Sequence, residues 1–217
     1  MLFRSGIPFS DPVMDGPVIQ QASQLALDDG ATPVSILDAM RHLDVGVPLV
    51  VMCYYNTVHH AGHERFAASL KAAGVSGAIV PDLPLEESGP WCTAADASGI
   101  ATVMLAAPTA PDERLPRVCA RARGFVYSVG LLGVTGERES LAETATRLAG
   151  RLKAITDVPV IVGVGVSNAQ QAVETCRVAD GVVQGASVVR RLLEGGPDLV
   201  GSYVAEVRGQ LDSSFKN

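Results

Sequence analysis

Two carboxylates stand in one stiff stretch near the start of the chain, Gly6-Ile7-Pro8-Phe9-Ser10-Asp11-Pro12-Val13-Met14-Asp15-Gly16-Pro17. Its prolines fix φ and remove donors, its glycines permit sharp turns, and its Ser and Asp side chains hydrogen-bond locally. Such a loop holds its shape and can aim a carboxylate. Asp11 and Asp15 are therefore candidates to accept an N–H or O–H from a ligand or to move a proton. The competing reading is a connecting turn, where Pro/Gly/Asp clusters usually belong. A second rigid acidic loop, Pro81-Asp82-Leu83-Pro84-Leu85-Glu86-Glu87-Ser88, offers Asp82 for the same chemistry. Carboxylates there would equally well favour the N-terminus of the helix that follows.

Three glycine clusters suggest a different chemistry. Gly133-Val134-Thr135-Gly136, Gly163-Val164-Gly165-Val166-Ser167 and Gly185-Ala186-Ser187 each come after an apolar run. Glycine lets backbone N–H groups approach an anion, Thr and Ser hydroxyls add donors, and a helix beginning after Gly185 presents its positive end. One such cluster signifies little. Three in consecutive units point to a phosphate-bearing ligand, whereas taken singly they would be tight turns between strand and helix. Tyr54, Tyr55 and Tyr127 fall at strand ends, where they either line a pocket for an aromatic ligand or close the core. His59, His60 and His63 with Glu64 have part of a metal-ligand pattern, but no further ligand completes it, so loop histidines and no metal are expected.

These residues need elements to hold them. Residues 2–8 read as a short strand, Val18–Gly30 as a helix, and Thr32-Pro33 as the capped start of another that runs through Ile36, Leu37 and Met40. Val47–Tyr54 is a nearly unbroken apolar run, as expected of a parallel strand covered on both faces. Helices at 62–73, 85–98, 111–122, 138–154 and 167–177 then alternate with strands at 76–80, 101–105, 125–128, 158–162 and 180–184. Helices at about 187–194 and 197–211 close the chain. Regular alternation implies a parallel sheet with right-handed crossovers, either open or closed into a barrel. Late glycine clusters after strands, beside a helix start, favour the (β/α) barrel, where that region forms the usual phosphate site.

Size and charge set the outer bounds. The 217 residues are 47% hydrophobic and 18% charged, enough for a large core without metals or disulfides. No linker, low-complexity stretch or second composition zone divides them, so residues 1–217 read as a single domain. A net charge of −6 and a pI near 5.2 give no reason to expect nucleic acid or an anionic membrane as partner. Cys53, Cys92, Cys119 and Cys176 have no Cys-x-x-Cys spacing and read as core residues in a reducing compartment. With no leader pattern and no apolar window of membrane length, a cytoplasmic protein is expected.

Together, Gly6–Gln20, Asp82–Ser88, Gly133–Gly136 and Val162–Ser167 closely resemble the tryptophan synthase α subunit family, and the resemblance runs through nearly the whole chain. It implies a TIM barrel that cleaves indole-3-glycerol phosphate to indole and glyceraldehyde 3-phosphate, without cofactor, beside a PLP-containing β subunit. In that retro-aldol reaction indole carbon 3 gains a proton, the ring N–H is held by an acceptor, and the glycerol hydroxyl loses its proton. The resemblance gives the acceptor role to Asp15 and the phosphate to Gly136, Gly165 and Gly185 with neighbouring donors. It also gives indole-pocket walls to Tyr127, Thr135, Ile79 and Met52, and the β-facing loops to Asp11, Pro12, Tyr55 and Asn56.

Three departures from the family pattern matter. The family's acid/base glutamate, two residues before the first glycine, is here Arg4, whose cation could hold an anionic group of a ligand such as a diphosphate or carboxylate. On the order of 45 residues of the family's N-terminal strand, helix and second strand are not in this chain, which leaves about seven strands and suggests a homo-oligomer built through open barrel edges. Gly-Ser-Ala at the last phosphate loop reads Gly185-Ala186-Ser187, which moves the hydroxyl to Ser187. A shortened paralogue acting on another phosphorylated ligand, and a non-catalytic binding or regulatory partner, are the alternatives to a lyase.

Overall fold

The computed structural model describes residues 1–129, 139–163 and 166–215. They fall into two compact units, Met1–Met104 with Arg121–Gly124, and Leu105–Ala120 with Phe125–Asn217.

The first unit is built on β1 (Phe3–Gly6), β2 (Leu49–Met52), β3 (Val75–Ile79) and β4 (Ala101–Ala106), the last two residues of β4 belonging to the second unit. Neighbouring strands pair parallel, with Arg4 beside Val50, Val50 beside Gly77, and Gly77 beside Ala101. Paired residues in a parallel ladder share a face, and residues two apart along a strand share it too. Arg4, Val50 and Gly77 thus lie on one face with Met52, Ile79 and Val103. The opposite face carries Val51 and Ala78, which pack with Leu37, Met40, Phe66, Leu70, Trp91 and Ala95 of the helices. This division sends the apolar faces of the helices to one side and leaves Arg4 and Met52 on the other.

The helices of this unit are α1 (Pro17–Asp28), α2 (Pro33–Met40), α3 (Tyr55–Ala61), α4 (His63–Ala72) and α5 (Gly89–Ala97). Thr32 caps α2 by accepting from the Ser35 amide while the Ser35 hydroxyl accepts from the Thr32 amide, with Pro33 in the first turn, as the sequence predicts. Gly74 closes α4 at φ +76°, a conformation that a Cβ would strain. Two expectations are revised. Residues 55–61, which had read as loop, form α3, and Gly62 separates it from α4. Residues 85–88 form a turn rather than the start of α5, because the Glu87 and Ser88 amides bond back to the Pro84 and Leu85 carbonyls.

The second unit contains α6 (Arg114–Arg121), whose last residue falls in the first unit, then β5 (Val126–Ser128), α7 (Glu139–Lys153), β6 (Val160–Val162), α8 (Ala169–Cys176), β7 (Gly181–Val182) and α9 (Ala186–Ser214). The three strands are parallel, with Tyr127 beside Ile161 and Ile161 beside Gly181. Asn168 caps α8 by accepting from the Gln171 amide. Within α9 the helix breaks at Gly196, where φ is +69°, just before Pro197. The two helices expected at 187–194 and 197–211 correspond to the segments on either side of this break. Among the described residues no helix is long and apolar enough to cross a membrane.

Candidate functional site

In the first unit the Gly6–Pro17 loop leaves the end of β1 and is tied down at several points. The Ile7 amide bonds to the Met52 carbonyl, the Val13 amide to the Asp11 carbonyl, and the Asp15 amide to the Pro12 carbonyl. Tyr54 holds the loop's far end: its hydroxyl donates to Asp15 Oδ2 at 2.9 Å and accepts from the Met14 amide at 2.9 Å. The Phe9 ring stacks on the Tyr54 ring with centroids 5.0 Å apart. Burial pushes the Tyr54 hydroxyl up to about 12; the Met14 amide works against the shift, and the Asp15 carboxylate adds to it. The phenol therefore stays protonated and donates to Asp15 throughout the neutral range.

The other acidic residues of this unit have different surroundings. The Asp11 carboxylate accepts from the Ser10 hydroxyl at 2.6 Å on an exposed part of the loop, next to Val13, which is 81% exposed. Both Asp82 oxygens accept from the Tyr55 amide, at 2.8 and 3.1 Å, so this carboxylate sits at the N-terminus of α3. The sequence left it between ligand chemistry and the N-terminus of the helix that follows; the structure places it at the N-terminus of the helix that precedes. Arg4 Nη1 donates to Met52 Sδ at 3.2 Å, which puts the guanidinium beside a predicted pocket wall and on the same sheet face as Ile79. Tyr55 pairs with His63 through its hydroxyl and Nε2 at 3.0 Å, and the ring of His59 lies 5.8 Å from that of Tyr55.

In the second unit Tyr127 lies at the middle of β5, and its hydroxyl donates to the Gly163 carbonyl at 3.2 Å. A Cβ at residue 163 would overlap the Tyr127 ring, so this close approach requires glycine. Gly185 is the N-cap of α9, and the Val188 and Val189 amides both bond back to its carbonyl. The Ser187 hydroxyl donates to the Val166 carbonyl at 3.3 Å. The Ser167 amide donates to Gln171 Oε1 at 2.8 Å and its hydroxyl to the same oxygen at 3.0 Å. Thr135, Gly136 and Gly165 lie outside the described residues.

Sequence reasoning did not find Tyr54 as the tether of Asp15, because the two are 39 residues apart and only the fold joins them. The apolar run ending at Tyr54 had signalled a strand end, and that was the available clue. Nor did it find Arg191 and Tyr203, which meet only by folding, or Gln171, whose bonds to Ser167 are local.

Seven parallel strands joined by helices place the chain in the α/β TIM-barrel class. The aminoacrylate-bound tryptophan synthase of M. tuberculosis superposes with a TM-score of 0.87 at 36% identity, over 97% of this chain and 81% of that one. A tryptophan synthase complex from Pyrococcus furiosus gives 0.86 at 36% identity, over 95% of this chain and 85% of that one. The family description "Tryptophan synthase alpha chain" matches residues 2–208. The tryptophan synthase alpha chain of Thermobifida fusca is 48% identical over 198 residues, 89% of this chain and 73% of that protein. That of Streptomyces coelicolor is 46% identical over 198 residues, 90% of this chain and 73% of that protein. The chain belongs to the tryptophan synthase alpha chain family, a family of carbon–carbon lyases.

Proposed function

We propose that the chain binds indole-3-glycerol phosphate and cleaves it by retro-aldol chemistry, slowly because Arg4 stands where the family carries its acid/base glutamate. The observation that carries this reading is the Tyr54–Asp15 hydrogen bond at 2.9 Å. It holds a carboxylate at a fixed place at the end of the loop, as an acceptor for the indole N–H must be held. With that proton bound, electron density moves into the ring as carbon 3 is protonated. The bond from carbon 3 to the glycerol chain breaks as the adjacent hydroxyl loses its proton, giving indole and glyceraldehyde 3-phosphate. Met52, Ile79, Tyr127 and Thr135 are the proposed walls for the indole. Gly136, Gly165 and Gly185 are the proposed phosphate residues, where Ser187 shapes the last turn through its bond to Val166.

Guanidinium keeps its proton across the whole working range of an enzyme, so Arg4 cannot take the proton that the family's glutamate takes. In an indole-release assay with indole-3-glycerol phosphate, Arg4→Glu is expected to exceed the unmodified chain by 10²-fold or more, on the order of one general acid–base contribution. Equal rates would remove residue 4 from the proton path. A second reading is favoured by the same side chain: Arg4 holds an anionic group of a different phosphorylated ligand. Binding of phosphate esters with no indole release from either protein would select that reading.

The Pyrococcus furiosus relative occurs in a tryptophan synthase complex. We infer a comparable partner here, a PLP-containing β subunit docking on Asp11, Pro12, Tyr55 and Asn56. Co-sedimentation with such a subunit checks this, and Asp11→Lys is expected to weaken it.

A further inference from the structure

We propose that Arg191 and Tyr203 are positioning residues for phosphate, a latch that holds the Gly185–Ser187 turn against the Val166–Ser167 stretch. The inference rests on the phosphate site proposed above and adds to it two residues that no glycine motif contains. Arg191 Nη1 donates to the Ser187 carbonyl at 2.8 Å. Its guanidinium carbon lies 3.6 Å from the centroid of the Tyr203 ring, a stacked cation–π contact. The Tyr203 hydroxyl, on a residue only 5% exposed, donates to the Ser167 carbonyl at 3.0 Å. The Ser187 hydroxyl closes the loop of contacts by donating to the Val166 carbonyl at 3.3 Å. One guanidinium and one phenol therefore tie together the two backbone turns that follow β6 and β7.

The break in α9 makes this possible. Arg191 and Tyr203 are twelve residues apart, and in an unbroken helix they would be separated by about 18 Å of rise. The Gly196 backbone at φ +69° and Pro197 interrupt the helix between them, which lets the second segment bring Tyr203 back over Arg191. Val166, Ala169, Ala172, Tyr203 and Val207 then form one buried cluster, so the tyrosine ring is fixed by packing before its hydroxyl is engaged. Every polar contact in the latch ends on a backbone carbonyl of one of the two turns. Fixing those carbonyls orders the backbone of both turns, in which the Ser167 amide donates to Gln171 Oε1 and the Val188 amide to the Gly185 carbonyl, and a preorganised turn is what an anion cradle requires.

The test is calorimetric titration of the full chain with two probes, glycerol 3-phosphate and indole. Tyr203→Phe keeps the ring and removes one hydrogen bond, and is expected to weaken glycerol 3-phosphate about fivefold. Arg191→Lys keeps the charge and removes the planar stacked fork, with an expected loss of about tenfold. Indole affinity is expected to be unchanged in both, and the double variant is expected to lose less than the product of the two because the residues act as a unit. Wild-type glycerol 3-phosphate affinity in both variants overturns the latch alone, as does an equal loss for indole, which would mark a general structural role. Indole binding with no glycerol 3-phosphate binding by the unmodified chain overturns the phosphate reading itself, and the latch with it. Should Tyr203→Phe fail to fold, Arg191→Lys with the same two probes decides.

Discussion

At the scale of single residues, the first unit shows how one hydrogen bond decides what a motif can do. Asp15 belongs to a loop rich in proline and glycine, yet those residues alone leave its carboxylate free to rotate about two side-chain torsions. The Tyr54 hydroxyl removes that freedom by bonding to Oδ2, and it is itself aligned by the Met14 amide and the Phe9 ring. Tyr54→Phe keeps the stacking and loses the bond. The expected outcome is a fall of about tenfold or more in affinity for indole-3-glycerol phosphate, measured by calorimetry, since one neutral-to-charged hydrogen bond contributes about 1.5–3 kcal/mol. A variant that binds as the unmodified chain does would mean that the loop holds Asp15 unaided. Asp82 makes the opposite point. Its loop is likewise rich in prolines and carboxylates, but both its oxygens are engaged by the Tyr55 amide, which assigns it to the α3 terminus.

At the scale of elements, local signals and distant contacts divide the work. The Thr32-Pro33 start of α2 and the boundary between helices at about 187–194 and 197–211 are written in adjacent residues, and the sequence reading located both. Helix α3 was missed because Tyr55-Asn56-Thr57-Val58-His59-His60 contains several weak helix formers and no capping side chain of its own. Its first amide is satisfied by a carboxylate 27 residues away. A comparable long-range tie joins α7 to β6 and the start of β7: Asp180 accepts from Lys153 Nζ at 2.8 Å and from the Val160 amide at 2.7 Å. Burial alone would raise the Asp180 carboxyl; the lysine and the amide outweigh it and hold the carboxyl below its ordinary value. A carboxyl lowered in the folded state contributes stability that is complete above the unfolded-state value and is lost as pH falls through the folded one. Asp180→Asn is therefore expected to lower Tm at pH 7, and the gap to the unmodified chain is expected to close as pH falls through and below the ordinary carboxylate range. A gap independent of pH would show that the bond to the Val160 amide, rather than the charge, is what matters.

At the scale of the molecule, Met1 is 73% exposed and Phe3 48% exposed beside the outer strand of the first unit, while Leu192 and Leu193 are 50% and 42% exposed in the second. Apolar side chains of this size gain by leaving water, and we propose that the chain self-associates. Sedimentation at neutral pH is expected to give a species heavier than the 22.6 kDa chain, with Phe3→Lys shifting it toward the monomer. A single 22.6 kDa species across the concentration range would exclude self-association. By itself the sequence determined the alternation of strands and helices, the family and the loop that carries Asp15. These follow from periodicity, turn residues and motif order, all properties of neighbours along the chain. Only the tertiary structure decided that Tyr54 holds Asp15, that Asp82 caps α3, and that Arg191 and Tyr203 meet across a broken helix. The physical reason is the same in each case: the partners are twelve or more residues apart, and a hydrogen bond or ring contact between them exists only once packing has fixed the backbones that carry both.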